Sequence, residues 1–169
     1  MRIDLITVFP EMVANAVKYG VIVRTQEQGL LDIIVHDLRD STYDRHRSVD
    51  DYCYGGGAGM LMKPEPLFEA VESIDYKSDN RQIILLSPQG KQFNQEMAKQ
   101  LSMVDHLIMI CGRYKGVDER VCQNLVTDEI SIGDYVLSGG EIPALAIVDA
   151  VSRQLMRKSQ GPLRFSLDL

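Results

Sequence analysis

The sequence is short of cysteine, histidine, positive charge and long apolar runs, and each shortage removes a class of protein. Its three cysteines (Cys53, Cys111 and Cys122) form an odd set with no Cys-x-x-Cys pair. That excludes a disulfide framework and points to a reducing cytoplasm. Cys111 ends an apolar run and Cys122 falls in a helical pattern, so both read as small buried hydrophobes. The histidines are His36, His46 and His106, and none pairs with a cysteine at zinc-site spacing, so no metal is expected. His106 is placed at the start of a strand. No apolar run approaches the roughly 20 residues of a membrane span, and no signal peptide opens the chain, so no membrane association is expected. A net charge of −6 argues against a general polyanion binder and confines any nucleic-acid contact to a local patch. Two such patches are Arg39 with Arg45, His46 and Arg47, and Arg153 with Arg157, Lys158 and Arg164; either also reads as a solvated face.

What is present suits one globular domain: 169 residues, 45% hydrophobic and 25% charged. Apolar runs and glycine or proline breakers alternate along it. Strands are predicted over 3–9, 30–35, 83–86, 107–110 and 129–132. Helices are predicted over 11–19, 21–28, 64–74, 92–103 and 117–125, with a strongly apolar segment over 142–151. Gly20 is read as the stop of the first helix. Strand, loop and helix in repeating order predict an α/β domain, a mostly parallel sheet flanked by helices. In such sheets ligands sit beyond the carboxyl ends of the strands. Three glycine-bearing loops, 87–90, 111–116 and 132–140, each follow a buried strand and are expected to converge there. They offer backbone donors and acceptors and almost no fixed charge, which suits an uncharged heterocycle such as adenine better than a triphosphate.

The stretch from Ser131 to Glu141 is the densest of these. Ser138 and Glu141 stand at capping-box spacing, Pro143 falls in the first helical turn, and Gly139 and Gly140 allow a close backbone approach. An ordinary capped loop is the competing reading. Residues 37–62 are dense in charge and hydroxyls and run into Tyr54-Gly55-Gly56-Gly57-Ala58-Gly59-Met60, a long loop within a compact domain. It is neither a P-loop nor a Gly-x-Gly-x-x-Gly. It reads as a flexible cover over a bound nucleotide, or as a disordered lid.

Six motifs taken together are specific. They are Asp44 to Asp51, Tyr54 to Met60, Leu86-Ser87-Pro88-Gln89-Gly90, Cys111-Gly112-Arg113-Tyr114, Gly116 to Arg120, and Ser131 to Glu141. In order and spacing the chain resembles bacterial tRNA (guanine-N1)-methyltransferases of the TrmD type over about residues 1–155. The resemblance implies a SPOUT-type fold with a deep trefoil knot, which no periodicity could reveal. It implies a homodimer whose active sites are built from both chains, and S-adenosylmethionine as cofactor. By motif the cofactor-binding residues would be Pro88, Gly112, Tyr114, Ile132, Gly133, Asp134, Tyr135, Val136, Leu137, Gly139 and Gly140. The substrate would be tRNA, methylated at N1 of the guanosine 3′ of the anticodon. Arg153 would be the catalytic arginine that stabilises charge on guanine O6; by spacing alone it could equally pair with Asp149 one turn away.

The tail departs from the family. If Phe165 matches the family's phenylalanine, Leu163 stands where a catalytic aspartate is expected, and Asp168 is the tail's one carboxylate. Residues 156–169 are therefore expected to form an atypical tail without the C-terminal helical domain that grips tRNA in the family, and Lys115 stands where the family commonly has a glutamate. The chain is expected to be truncated or shortened across a loop. Two other readings remain: a knotted cofactor- or RNA-binding module without turnover, and a Rossmann-like nucleotide enzyme. The latter needs a glycine fingerprint after the first strand, which Val8 to Glu11 does not supply.

Overall fold

The computed structural model describes residues 1–52, 59–76 and 78–160. Five apolar runs form one parallel sheet in the order β2-β1-β6-β5-β7. They are β1 (Arg2–Thr7), β2 (Asp32–Asp37), β5 (Arg81–Gln92), β6 (His106–Cys111) and β7 (Asp128–Ser131). A separate antiparallel ribbon pairs β3 (Asp50–Tyr52) with β4 (Met60–Met62). The helices are α1 (Pro10–Ala16), α2 (Gly20–Glu27), α3 (Pro64–Glu72), α4 (Gln95–Leu101), α5 (Glu119–Asn124) and α6 (Glu141–Gln160).

Central β6 is buried along its whole length, as a strand covered on both faces must be. Alternate residues feed two cores. Leu107, Met109 and Cys111 join Ile3, Leu5, Ile84 and Leu86 under α1, α2 and α6. Ile108 and Ile110 join Ile6, Ile83 and Leu85 under α3 and α5. The α/β class, the parallel pairing and His106 at a strand start agree with the sequence reading.

Several boundaries do not. β5 carries on to Gln92, because Ser87–Gly90 is a bulge: Leu86 and Lys91 both face Ile130 of β7. The helix expected from 92 therefore starts at Gln95, where Asn94 accepts a hydrogen bond from Met97 N at 3.0 Å. Asp118, expected inside a first turn, is instead the cap of α5 and accepts from Arg120 N at 3.0 Å. Gly20, expected as a stop, opens α2 with φ +67°. The region 37–62 is not all loop. A 3-10 turn covers Leu38–Ser41, the ribbon follows, and Leu38, Val49 and Met62 are buried in the second core. Residues 53–58, and with them Cys53 and most of the glycine run, lie outside the described residues, as do 161–169 with Leu163, Arg164, Phe165 and Asp168. α6 continues through the boundary expected at 155 to Gln160. Among the described residues no helix is long and apolar enough to cross a membrane.

The amino end of the sheet carries a buried polar knot of side chains. Asp4 is fully buried and accepts from Arg2 Nε at 2.7 Å and Nη2 at 2.8 Å. His36 Nε2 lies 2.6 Å and His106 Nε2 2.8 Å from the same carboxylate. Burial by itself would raise the Asp4 pKa, but the hydrogen bonds from His36, Arg2 and His106 outweigh it and hold the group well below the carboxylate range. Burial lowers the pKa of His106, against the pull of Asp4. Tyr76 sits edge-on to the His106 ring at 4.7 Å.

Both shifts act in one direction. A depressed pKa in the folded state means that the unfolded chain binds more protons, so stability is lost on acidification. The His106 contribution declines below its free value of 6.5 and the Asp4 contribution below 3.8. Urea unfolding should therefore show a plateau above pH 7 and a fall below it. Asp4→Asn should cost about 3–5 kcal/mol at pH 7, because it leaves Arg2 half-buried and unpaired. A loss below about 1 kcal/mol, or a flat profile down to pH 4, would show that the cluster contributes no net stability.

Candidate functional site

The carboxyl ends of β5, β6 and β7 open on the same edge of the sheet, and the bulge of β5 and the loops after β6 and β7 meet there around a cavity of about 450 Å³. Its walls come from Leu85 to Gln89, from Gly112 to Val117, from Glu129 to Gly133 and from Tyr135 to Gly140, with Glu119 and Cys122 of α5 and Pro143 of α6. The three glycine-bearing loops thus converge as the strand order requires.

Close backbone approach makes this possible. A Cβ on Gly140 would lie 2.7 Å from Cys111 Cα and 2.9 Å from both Gly112 N and Leu86 Cβ, so only glycine fits. The Gly140 amide donates to Gly112 O at 2.8 Å, and Arg113 and Gly139 form an antiparallel bridge. Ala144 N then donates to Gly140 O at 2.9 Å, which starts α6 directly from this crossing. The loop after β7 is turned by Ser131, whose hydroxyl donates to Gly133 O at 2.9 Å and accepts from Gly133 N at 3.2 Å. The Tyr135 ring lies over Gly133, where a Cβ would be 2.3 Å from it. Tyr114 adopts φ +61°, a left-handed conformation that its tight loop imposes on a bulky residue.

Pro88, Gly112, Tyr114, Ile132, Gly133, Tyr135, Val136, Leu137, Gly139 and Gly140 all line the cavity. Asp134 does not; it is exposed beyond the turn. Arg153 does not either. It lies on α6 twelve residues after Glu141, about 18 Å along the axis at 1.5 Å per residue. It is exposed, on a stripe with Ile142, Ala146, Asp149 and Arg157. Among the described residues Arg153 forms no ion pair with Asp149.

The cavity is more charged than the loops alone implied: Arg113, Lys115, Glu119 and Glu129 also line it. The Arg113 charge is met inside the protein. Its guanidinium contacts the buried Glu141 carboxylate, Nε at 3.2 Å from both oxygens and Nη2 at 3.1 Å from Oε2. Thr7 Oγ1 donates to Glu141 Oε1 at 2.7 Å. The capping-box role for Glu141 is thereby overturned, since its carboxylate turns inward to these groups. No spacing rule links Thr7 to a residue 134 positions away.

Cys122, on the cavity wall, has its thiol pushed up to about 11 by burial, then by Glu129 and Glu119, which disfavours the nucleophilic thiolate. Cys111 is buried and pushed up further. Of the basic patch at 39–47, Arg39 donates to Val8 O, and Arg47 contacts Asp40 and donates to Arg39 O at 3.3 Å. In the second patch Lys158 donates to Ser102 O at 3.2 Å and Oγ at 2.9 Å, closing the end of α4. Three of the eight basic residues named for the two patches, Arg39, Arg47 and Lys158, thus have their side chains engaged within the fold.

The model of the family described as tRNA (Guanine-1)-methyltransferase TrmD matches residues 1–159. A tRNA (guanine-N(1)-)-methyltransferase of Dictyoglomus turgidum is 58% identical over 153 residues, 90% of this chain and 61% of that protein. One from Thermotoga maritima is 57% identical over 153 residues, covering 90% and 62%. The crystal structure of the tRNA (m1G37) methyltransferase from Aquifex aeolicus superposes with a TM-score of 0.86 at 38% identity, over 99% of this chain and 76% of that one. The chain thus spans just over three fifths of the length of the curated relatives it matches.

The Gly140 crossing yields a direct test. Gly140→Ala should destabilise the protein by about 1–3 kcal/mol in urea unfolding, because Cys111 and Leu86 belong to a packed core that cannot retreat. Unchanged stability would mean that the two segments do not cross as closely as described.

Proposed function

The chain belongs to the tRNA (guanine-1)-methyltransferase TrmD family, whose members use a methyl donor, and on that premise we propose that its cavity binds S-adenosylmethionine for methylation of tRNA. The reaction is transfer to N1 of the guanosine 3′ of the anticodon. The observation that carries the reading is the glycine-walled cavity at the carboxyl edge of β5, β6 and β7.

The residues present fit the cofactor. About 450 Å³ lies within the range of small-molecule sites. Leu86, Ile132, Leu137 and Pro143 supply apolar walls, and the backbone at Gly112 and over 132–140 comes close enough to meet the polar edge of a base. Pro88, Gly112, Tyr114, Ile132, Gly133, Tyr135, Val136, Leu137, Gly139 and Gly140 are the residues assigned to hold it, and Asp134 is left outside. When bound, S-adenosylmethionine supplies an electrophilic methyl group on a sulfonium. The chain's part is to hold that group and the acceptor in line, which contributes much of the rate in such transfers. Guanine N1 must pass its proton to a general base or to water as the methyl group arrives from the sulfonium, and the charge that grows on O6 is stabilised by a guanidinium.

Arg153 is assigned that role, across a homodimer. Its distance from the cavity of its own chain supports this, because a second copy can bring the same residue to the first copy's site. Tyr135 (55% exposed), Val136 (82%) and Ile142 (50%) lie beside the cavity mouth, and Ile142 shares the outer stripe of α6 with Arg153. An apolar surface of this kind fits a second protomer. The knot belongs to the same proposal; the pairing of 139–140 against 112–113 just before α6 is what supports it. A cytoplasmic location accords with a tRNA substrate.

The alternative is a module that binds the cofactor or RNA without turnover. Calorimetric titration of S-adenosylmethionine into the 169-residue chain should show saturable binding at about one per subunit. Absence of binding would refute the cavity assignment. Methyl incorporation into tRNA carrying the target guanosine, and none into tRNA in which it is replaced, would establish turnover. Binding with no incorporation would favour the module. Arg153→Ala should cut incorporation by about 10²–10³-fold with cofactor affinity nearly unchanged; parallel losses in both would remove its catalytic role.

A further inference from the structure

A buried ion pair, Arg113 with Glu141, lies under the cavity wall. Glu141 is 1% exposed, so its charge requires partners. It has them from two distant places: Thr7 at the carboxyl end of β1, and Arg113 in the loop after β6. The Thr7 hydroxyl accepts from Phe9 N at 2.9 Å, which leaves its proton aimed at Glu141. The Arg113 guanidinium also stacks on the Phe9 ring, 4.1 Å from its centroid. Above the pair runs the Gly139 backbone. A Cβ there would lie 2.5 Å from Glu141 Oε2 and 2.6 Å from Arg113 Nε, so the peptide sits directly on the ion pair.

We propose that Glu141 is a positioning residue: through Thr7 and Arg113 it sets the height of the Gly139–Gly140 backbone over the Gly112 loop, and thereby the shape of the wall that grips the methyl donor. The part concerning the donor rests on the preceding functional reading; the part concerning the backbone does not. Direction matters here as well as burial. Thr7 orients one carboxylate oxygen and Arg113 takes both, so the group cannot rotate away from Gly139. An apolar pair of equal volume would fill the same space with no such orientation.

Hydrogen–deuterium exchange on the 169-residue chain without ligand tests this. In Glu141→Gln, amides of 112–116 and 138–144 should exchange about tenfold faster, while those of 107–110 in β6 change by less than about threefold. Thr7→Val, which keeps the ion pair, should give the same pattern at smaller amplitude and covers the case in which Glu141→Gln fails to fold. No change, or an equal rise in both regions, would overturn the proposal. In Arg113→Met/Glu141→Met the melting temperature should recover while fast exchange over 138–144 persists; recovery of both would return the pair to a purely structural role. Calorimetry should show Glu141→Gln weakening S-adenosylmethionine binding about tenfold at unchanged stoichiometry, as loss of one charge-assisted contact predicts. Exchange decides the positioning role whether or not the cofactor binds, so failure of the cofactor reading shows separately, as a wild-type chain that takes none.

Discussion

Two backbone segments cross at the carboxyl end of β6 with no room for a side chain between them. Gly140 lies against Cys111 and Gly112 and donates its amide to Gly112 O. The crossing ties the end of the central strand to the start of the longest helix, so the apolar face of α6, with Ala144, Ile147, Val148 and Val151, is delivered onto the sheet in one register. It also brings the loop after β7 over the loop after β6, which creates the cavity. Fold and site therefore share one constraint, and a side chain at Gly140 would strain both.

Charge is buried at both ends of the sheet, and for different ends. At the amino end Asp4 gathers Arg2, His36 and His106, and joins the starts of β1 and β6 to β2. None of its four residues lines the cavity at the carboxyl edge, and its expected consequence is a dependence of stability on acidity. At the carboxyl end Glu141 gathers Thr7 and Arg113 under the cavity wall. A buried ion pair is weak evidence of stability, because desolvation offsets much of the attraction. Its geometric effect is firmer, since hydrogen bonds to both oxygens restrict where the neighbouring backbone can lie.

The cavity is built mainly from main chain and apolar side chains, whereas the arginine assigned to chemistry is displaced along α6. Such a division is what the proposed arrangement requires, with the methyl donor held in one protomer and Arg153 supplied by another. Tyr135, Val136 and Ile142 are exposed and would be available to that second protomer.

By itself the sequence determined the class of fold, the buried central strands and the set of loops that line the cavity. These depend on local patterns: β-branched runs set strands, and breakers such as Gly112 and Gly133 set loops at their ends. It misplaced what depends on neighbours. Gln92 looked like the start of a helix because its apolar spacing was helical, but pairing with Ser131 across the bulge held it in β5. Asn94 and Asp118 were capping residues whose positions only the true helix starts reveal. Glu141 matched a capping box at the level of spacing, and the tertiary structure drew its carboxylate to Thr7 and Arg113 instead. Arg153 was singled out by motif alone, and only the helix that bears it shows that it stands outside the lining of its own chain's cavity. Periodicity records which side of an element faces the core; it holds no record of which distant residue waits there, because that contact exists only once the sheet has closed.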